Sequence, residues 1–307
     1  MRGPDVVQSP PASELRQRIA AVRRFNRTVT QRIGALDSGF LGRGRSLGAS
    51  RVLYEIGKSG AELRELRARL GLDSGYMSRL LRCLGREGLV RRERSASDAR
   101  VRRLTLTAAG RREVAHLDRL SDAGAASLLR SLSERQQAEL VGAVQTVEKL
   151  FRASAVIIEI EDPSSPAARD CLAQYYAELS RRFERGFDVA ASISATPREL
   201  TPPRGYFLVA RLCGQAVGCG ALKCRRELGE IKRMWVAPSA RGLGIGRRIL
   251  SRLEEIARRR GLPLLRLETN ESLKEAQALY RAAGYTEVPA FNNEPHAHHW
   301  FEKRLAR

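Results

Sequence analysis

Six consecutive residues, Arg241-Gly242-Leu243-Gly244-Ile245-Gly246, stand between an apolar segment ending Met234-Trp235-Val236 and a run whose Ile249, Leu250, Leu253, Ile256 and Ala257 recur at helical spacing. A glycine-rich turn that opens a helix leaves main-chain N–H groups without partners and aims them outward along the positive end of the helix dipole. Such a site takes anions, and phosphate is the guest it predicts. A dinucleotide fingerprint would need its third glycine where Arg247 stands, and a P-loop would need a Gly-Lys-Ser/Thr ending that does not follow here. An ordinary glycine turn on a basic surface is the alternative these residues leave open.

The elements that must position this turn can be read around it. Pro238 closes the preceding strand, and Gly261 with Pro263 stops the helix. Upstream, Ala155 to Ile160 predicts an opening strand, and Asp162-Pro163-Ser164-Ser165-Pro166 a turn into helices running to about Arg185. Tyr206 to Ala210 and Ala216 to Leu222 predict a hairpin leading to the strand at Glu230. Downstream come a strand from Leu264 to Leu267 and a helix opened by Ser272-x-x-Glu275 and ended at Gly284. This order predicts an α/β domain, a mixed sheet flanked by helices.

The R-G-x-G-x-G turn after Val236-Ala237-Pro238, together with Ala276-Gln277-Ala278-Leu279-Tyr280-Arg281-Ala282-Ala283-Gly284-Tyr285, resembles the GNAT acetyltransferase superfamily over residues 154 to 307. The resemblance implies acetyl-coenzyme A as co-substrate, its pyrophosphate held by amides from Arg241, Gly242, Leu243, Gly244, Ile245 and Gly246, with Asn270 contacting it further along. It also implies that Tyr280 donates a proton to the departing thiolate. An amine acceptor is mostly an ammonium at neutral pH and must lose a proton before it attacks. Glu230, at the start of the central strand, is the carboxylate expected to take it, unless it serves only as an ion-pair partner of Lys232 or Arg233. An N–H near Trp235 or Val236 is expected to polarise the acetyl carbonyl.

The first half follows a different pattern. After a Pro-rich start, expected to be mobile through residue 12, Leu15, Ile19, Val22, Phe25, Val29 and Ile33 mark one helix. Leu63, Leu66 and Leu70, then Gly71-Leu72-Asp73, then Met77, Leu80, Leu81 and Leu84 form a helix-turn-helix pattern. The second of these helices keeps its apolar residues to one stripe, which leaves Ser74, Tyr76, Ser78, Arg79 and Arg82 to face outward, where a recognition helix meets base edges and phosphates. Two strands, Leu89 to Arg94 and Val101 to Thr107, joined by a polar tip, form a wing. Nine arginines against three acidic residues fall between Arg79 and Arg103. On a solvated face such a run means little, but here it coincides with a recognition helix and a wing.

Met77-Ser78-Arg79-Leu80-Leu81, Gly88-Leu89-Val90-Arg91-Arg92, Ser97-Asp98-Ala99-Arg100 and Leu106-Thr107-Ala108-Ala109-Gly110 resemble the MarR-type winged-helix regulators over residues 10 to 152. The resemblance implies that Arg100 enters the minor groove while Asp98 orders the tip. A narrow minor groove concentrates negative potential and suits arginine. It also implies that the terminal helices, including the one capped by Ser133-x-x-Gln136, make a homodimer on a pseudo-palindromic duplex operator.

Length and charge fit this division. The chain has 307 residues, room for about two domains, here 13–152 and 153–307. Of its net charge of +21, +14 lies in residues 1–152 and +7 in the remainder, so the first half is the expected polyanion binder. Only 6 of the 55 basic residues are lysine, which allows base composition as a second source of that charge. The five cysteines lack C-x-x-C spacing, and the histidines between Phe291 and Trp300 lack a spaced partner set, so no metal site is expected; the latter loop is expected to border the acceptor pocket. No run is apolar enough to cross a membrane, and a cytoplasmic location is expected. Two functions of different class remain: a regulator joined to an N-acetyltransferase acting on a small amine or amino-acid-like acceptor, and a regulator whose second half only senses acetyl-coenzyme A or another ligand. Acetylation of protein lysines would need a groove that sequence does not reveal.

Overall fold

The computed structural model describes residues 11–37, 39–57, 59–94, 102–184, 186–189, 191–193 and 195–305. These residues form two compact units, with the division between Ala143 and Val144.

The first unit opens with α1 (Ala12–Arg32), none of whose residues is buried. A glycine-rich connection leads to α2 (Leu47–Ile56), where the Ser46 hydroxyl accepts the Ala49 N–H and closes the first turn. A two-residue strand, β1 (Ala61–Glu62), precedes α3 (Leu63–Leu70). Gly71 then adopts φ 63° and turns the chain into α4 (Ser74–Arg86), whose first turn is capped by Asp73 accepting from the Tyr76 N–H at 2.8 Å. The strands β2 (Val90–Arg94) and β3 (Arg102–Leu106) pair antiparallel, and β1 adds to β3. Val52, Leu53, Ile56, Leu66, Met77 and Leu84 meet Leu104 in one core, so the apolar stripe of each short helix lies where its spacing predicts. Two long helices follow, α5 (Ala108–Arg130) and α6 (Glu134–Ser154), and the division between the units falls within α6. The Ser133–Gln136 box closes as expected, with each backbone N–H bonded to the other residue's side chain. Buried Glu113 of α5 receives Arg43 at 2.8 Å and Arg45 at 2.6 Å, which ties the glycine-rich connection down.

The second unit contains, among the described residues, a seven-stranded sheet. In chain order it is built from β4 (Val156–Ile160), α7 (Pro166–Arg182), β5 (Gly205–Leu212), β6 (Gln215–Cys224) and β7 (Leu228–Val236). There follow α8 (Ile245–Arg259), β8 (Leu264–Thr269), α9 (Lys274–Ala282), β9 (Thr286–Val288) and β10 (His299–Arg304). The strand order is β4-β5-β6-β7-β8-β10-β9, parallel only between β7 and β8 and antiparallel elsewhere. Leu250, Leu253 and Ala257 of α8 pack with Phe207 and Leu222 of the sheet.

Two features of this unit bear on chemistry. The parallel pairing of β7 with β8 runs from Leu228↔Leu264 to Glu230↔Arg266 and, among the described residues, goes no further. Beyond Glu230 the strands part, and a bulge against β6 with Arg233 at φ 56° marks the departure. The expected Ser272–Glu275 cap does not form. The Ser272 N–H bonds to Asn270 Oδ1 at 2.9 Å, its hydroxyl is buried without a partner, and α9 begins two residues later. The turn made by Asn270 competes successfully for the backbone that the cap would have used.

Candidate functional site

The glycine turn is built as its pattern requires. Leu243 and Ile245 are buried in the core beside the sheet, so Gly242 and Gly244 are left bare on the outer side, at φ 78° and 73°. A β-branched residue would strain both positions. No side chain caps the first turn of α8, and none of the amides from Gly242 to Gly246 has an acceptor among the described residues. These open donors at a helix N-terminus fit a phosphate group. Arg241 does not belong to that set: its amide bonds to Pro238 O at 3.3 Å, and its guanidinium reaches both oxygens of Glu178 at 2.6 Å.

Glu178 of α7 is the fixed point behind the turn. It also accepts the indole N–H of Trp235 at 2.9 Å, and Trp235 is itself buried. Burial pushes the Glu178 carboxyl up, but hydrogen bonds from Arg241 and Trp235 outweigh it and leave the group below the ordinary carboxylate range. Trp235 therefore contributes a side chain to the frame, while Val236 offers its carbonyl to Arg241 Nε at 3.1 Å.

Where β7 and β8 part lies a cavity of about 110 Å³, lined by Lys232, Glu268, Thr269, Asn270 and Tyr280 and by aromatic residues of α7. Tyr280 is buried, and burial first, then the charge of Glu268, hold its phenol well above the usual tyrosine range. It therefore keeps its proton. Lys232 bonds one oxygen of Glu268; the other oxygen, Oε2, is buried without a partner. A carboxylate with one oxygen held and one open is equipped to accept a proton.

Glu230 is not brought into this lining. It pairs with Arg225 and stands 3.7 Å from Lys232, one ion pair away from the cavity. Nothing in the local pattern of Leu264 to Thr269 singles out Glu268. The alternation of that strand puts it on the half-exposed side with Arg266, and the groups that share the cavity with it come from α7 and the tail, which are remote in sequence.

Asn270 lines the cavity, but its side chain serves the fold: Nδ2 donates to His296 O at 2.8 Å and lies 3.1 Å from His298 Nδ1. The tail loop borders the cavity through Glu294, His296 and Ala297. Its histidines diverge, His299 pairing with Glu287 at 2.5 Å. Among the described residues no group of three or more His, Cys, Asp or Glu side chains is placed to hold a metal ion, and no helix is long and apolar enough to cross a membrane.

In the first unit, Ser74, Ser78, Arg79 and Arg82 are exposed on α4, opposite buried Met77, Leu80, Leu81 and Leu84. Tyr76 departs from the expected outward position. It is half-buried, its hydroxyl only 2.6 Å from where a Cβ on Gly48 would sit, and it carries the Arg79 guanidinium 5.7 Å from its ring centre. Ser78, Arg82 and Arg86, one turn apart along α4, line a groove with Arg92 of β2, a residue that helical spacing alone does not group with them. Asp98 and Arg100 lie outside the described residues.

Comparison with known proteins gives the following. The family described as Acetyltransferase (GNAT) family matches residues 172–285, and the MarR family matches residues 43–101. An IAA acetyltransferase of Azospirillum brasilense is 40% identical over 125 residues, covering 40% of this chain and 82% of that protein. Among solved structures, an acetyltransferase of the GNAT family from Staphylococcus aureus is similar at 17% identity and TM-score 0.42, covering 50% of this chain and all of that one. Streptococcus pneumoniae FabT in complex with DNA is similar at 22% identity and TM-score 0.36, covering 46% of this chain and 97% of that one.

Proposed function

This chain belongs to the GNAT acetyltransferase family through its second half and carries a MarR-family winged helix-turn-helix in its first, and from that premise we infer a DNA-binding regulator that also transfers an acetyl group from acetyl-coenzyme A to a small amine. The observation that carries the reading is the open, buried Oε2 of Glu268 in one cavity with Tyr280, where β7 and β8 part.

The amides of Gly242 to Gly246 hold the pyrophosphate of the co-substrate, which supplies an acetyl thioester. Glu268, directly or through one water, takes a proton from the ammonium of the acceptor. The freed amine forms a bond to the thioester carbon, and a main-chain N–H near Trp235 or Val236 stabilises the charge that gathers on the carbonyl oxygen. As the carbon–sulfur bond breaks, Tyr280 gives its proton to the thiolate and recovers one from the new amide nitrogen. The products are the N-acetyl amine and free coenzyme A, with one proton left on Glu268. Lys232 holds one oxygen of Glu268 in place, and Glu230 stands beside Lys232; Asn270 holds the tail against the cavity.

In the first half, Ser74, Ser78, Arg79 and Arg82 face the major groove, with Arg100 in the minor groove and Asp98 ordering the wing tip. The exposed stripe of Leu15, Ile19 and Val22 on α1 supports a homodimer, since an apolar helix face is seldom left to water. The domain limits 13–152 and 153–307 and a cytoplasmic location go with this reading.

The test is coenzyme A release by the purified full-length protein with a broad panel of amines. Turnover that Glu268→Gln abolishes supports the assignment. No release with any amine, or release untouched by both Glu268→Gln and Tyr280→Phe, overturns it.

A further inference from the structure

The cavity has a second wall that acetyl transfer by itself does not require. Tyr175, Tyr176, Phe183, Phe187 and His296 all line it. Their rings touch in series. Tyr176 stacks on Phe187 with centres 5.8 Å apart and planes 12° apart, Phe183 meets Phe187 edge-on at 5.7 Å, and His296 lies 4.8 Å from Phe187. These are ordinary geometries for attracting aromatic pairs. Tyr176, Phe183 and Phe187 stay half-buried and outside the core of the sheet, so the cluster presents ring surface to the cavity instead of filling the interior.

An aromatic wall can receive a flat ring or a second cation, and the charges around it decide between them. Arg233 already lies over the Tyr176 ring at 5.8 Å, and Lys232 lines the same space. Both repel another positive charge. The two carboxylates in the lining are engaged as well. Glu268 is bonded to Lys232, and buried Glu294 accepts from Ser192 Oγ at 3.0 Å, from the Ile193 N–H at 2.6 Å and from the His296 N–H at 3.3 Å. One carboxylate oxygen, the buried Oε2 of Glu268, remains without a partner, and in the acetyl-transfer reading it is reserved for the amine that reacts.

We propose that the acceptor is an arylalkylamine: a primary amine joined by a short aliphatic link to a flat aromatic ring that bears no second positive charge. The ring packs among Phe183, Phe187 and His296 while the nitrogen reaches Glu268. This inference rests on the acetyl-transfer reading for its chemistry and on the aromatic wall for its specificity.

The experiment uses full-length protein with 2-phenylethylamine, 2-cyclohexylethylamine and spermidine. The first two share carbon count and ammonium and differ in aromaticity; the third carries extra charge. The expected result is a kcat/KM for 2-phenylethylamine about tenfold above that for either of the others, the upper end of what one aromatic pair contributes. Phe187→Leu, and separately Phe183→Leu, bring the phenyl-to-cyclohexyl ratio close to one, with retained coenzyme A binding in calorimetry showing that the fold is intact. Equal rates for the two rings, a preference for spermidine, or a ratio that both variants leave unchanged overturns the proposal. Calorimetry of 2-phenylethylamine on the coenzyme A complex separates the two readings. Specific binding that Phe187→Leu weakens, without turnover, keeps the aromatic site and removes the enzymatic reading. Turnover of other amines without aryl preference removes the aromatic site alone, and neither binding nor turnover removes both.

Discussion

Tyr280 loses one oxygen in Tyr280→Phe and keeps its ring contacts, which lie 6.0 Å from those of Tyr285 and Phe301. The expected outcome is a fall in kcat of about a hundredfold, the typical worth of a positioned acid, with unchanged acetyl-coenzyme A affinity by calorimetry. The phenol is held above the ordinary tyrosine range, so its protonated form persists to high pH. The rate should therefore rise with pH as the amine loses its proton, and show no descending limb up to about pH 10, the ordinary value of a free tyrosine. Tyr280 is legible in sequence because its neighbours form a compact motif. Glu268 is not, because what makes it distinctive is a buried, unbonded oxygen and a place in a lining shared with side chains from α7 and the tail. Tyr76 shows the same limit in reverse. Helical spacing turns it outward, but it packs against the core of the first unit, and the missing side chain of Gly48 leaves its hydroxyl room.

Among the elements, the turn into α8 depends on backbone shape. Gly244→Val, at φ 73°, puts a β-branched residue in left-handed backbone. It should raise the KM for acetyl-coenzyme A by about tenfold or more, since loss of even one charge-assisted bond to phosphate is worth that much. Steady-state kinetics at saturating amine checks this. In the first unit, Glu113 is held below the ordinary carboxylate range by its hydrogen bond to Arg43, against the opposing effect of burial, with Arg45 adding to the first. A depressed folded-state pKa stabilises the fold at pH values above the unfolded value, and that stabilisation fades as pH falls through the folded value. Circular-dichroism melts should accordingly show Glu113→Gln less stable than the parent at pH 7, with the gap closing in acid. Strands and helices were legible wherever period and punctuation agreed, as in α4, α8 and the Ser133 cap. The Ser272 cap is absent because Asn270, two residues earlier, offers the same backbone a turn, and the two motifs look alike in sequence.

At the scale of the whole molecule, the excess charge of the first half predicts DNA affinity that falls steeply with salt. Arg82→Ala should reduce the slope of log K against log salt by about one, and Arg100→Ala should weaken operator binding, both read by fluorescence anisotropy. Operator affinity measured with and without acetyl-coenzyme A distinguishes a ligand-sensing regulator, which requires a difference, from two activities that merely share a chain. Replacing Leu15 and Ile19 with Glu should turn a dimer into monomers in sedimentation.

The parting of β7 from β8 has a mechanical meaning. It breaks the sheet in its middle, so the seven strands behave as two smaller sheets joined along a short seam that ends at Glu230 and Arg266. An extended guest carrying amides of its own, laid into that fork, would act as a rivet across it. Hydrogen exchange between residues 231 and 236 should slow when the guest is present, and the unfolding free energy should climb by about 2.7 kcal/mol at a hundredfold excess over Kd.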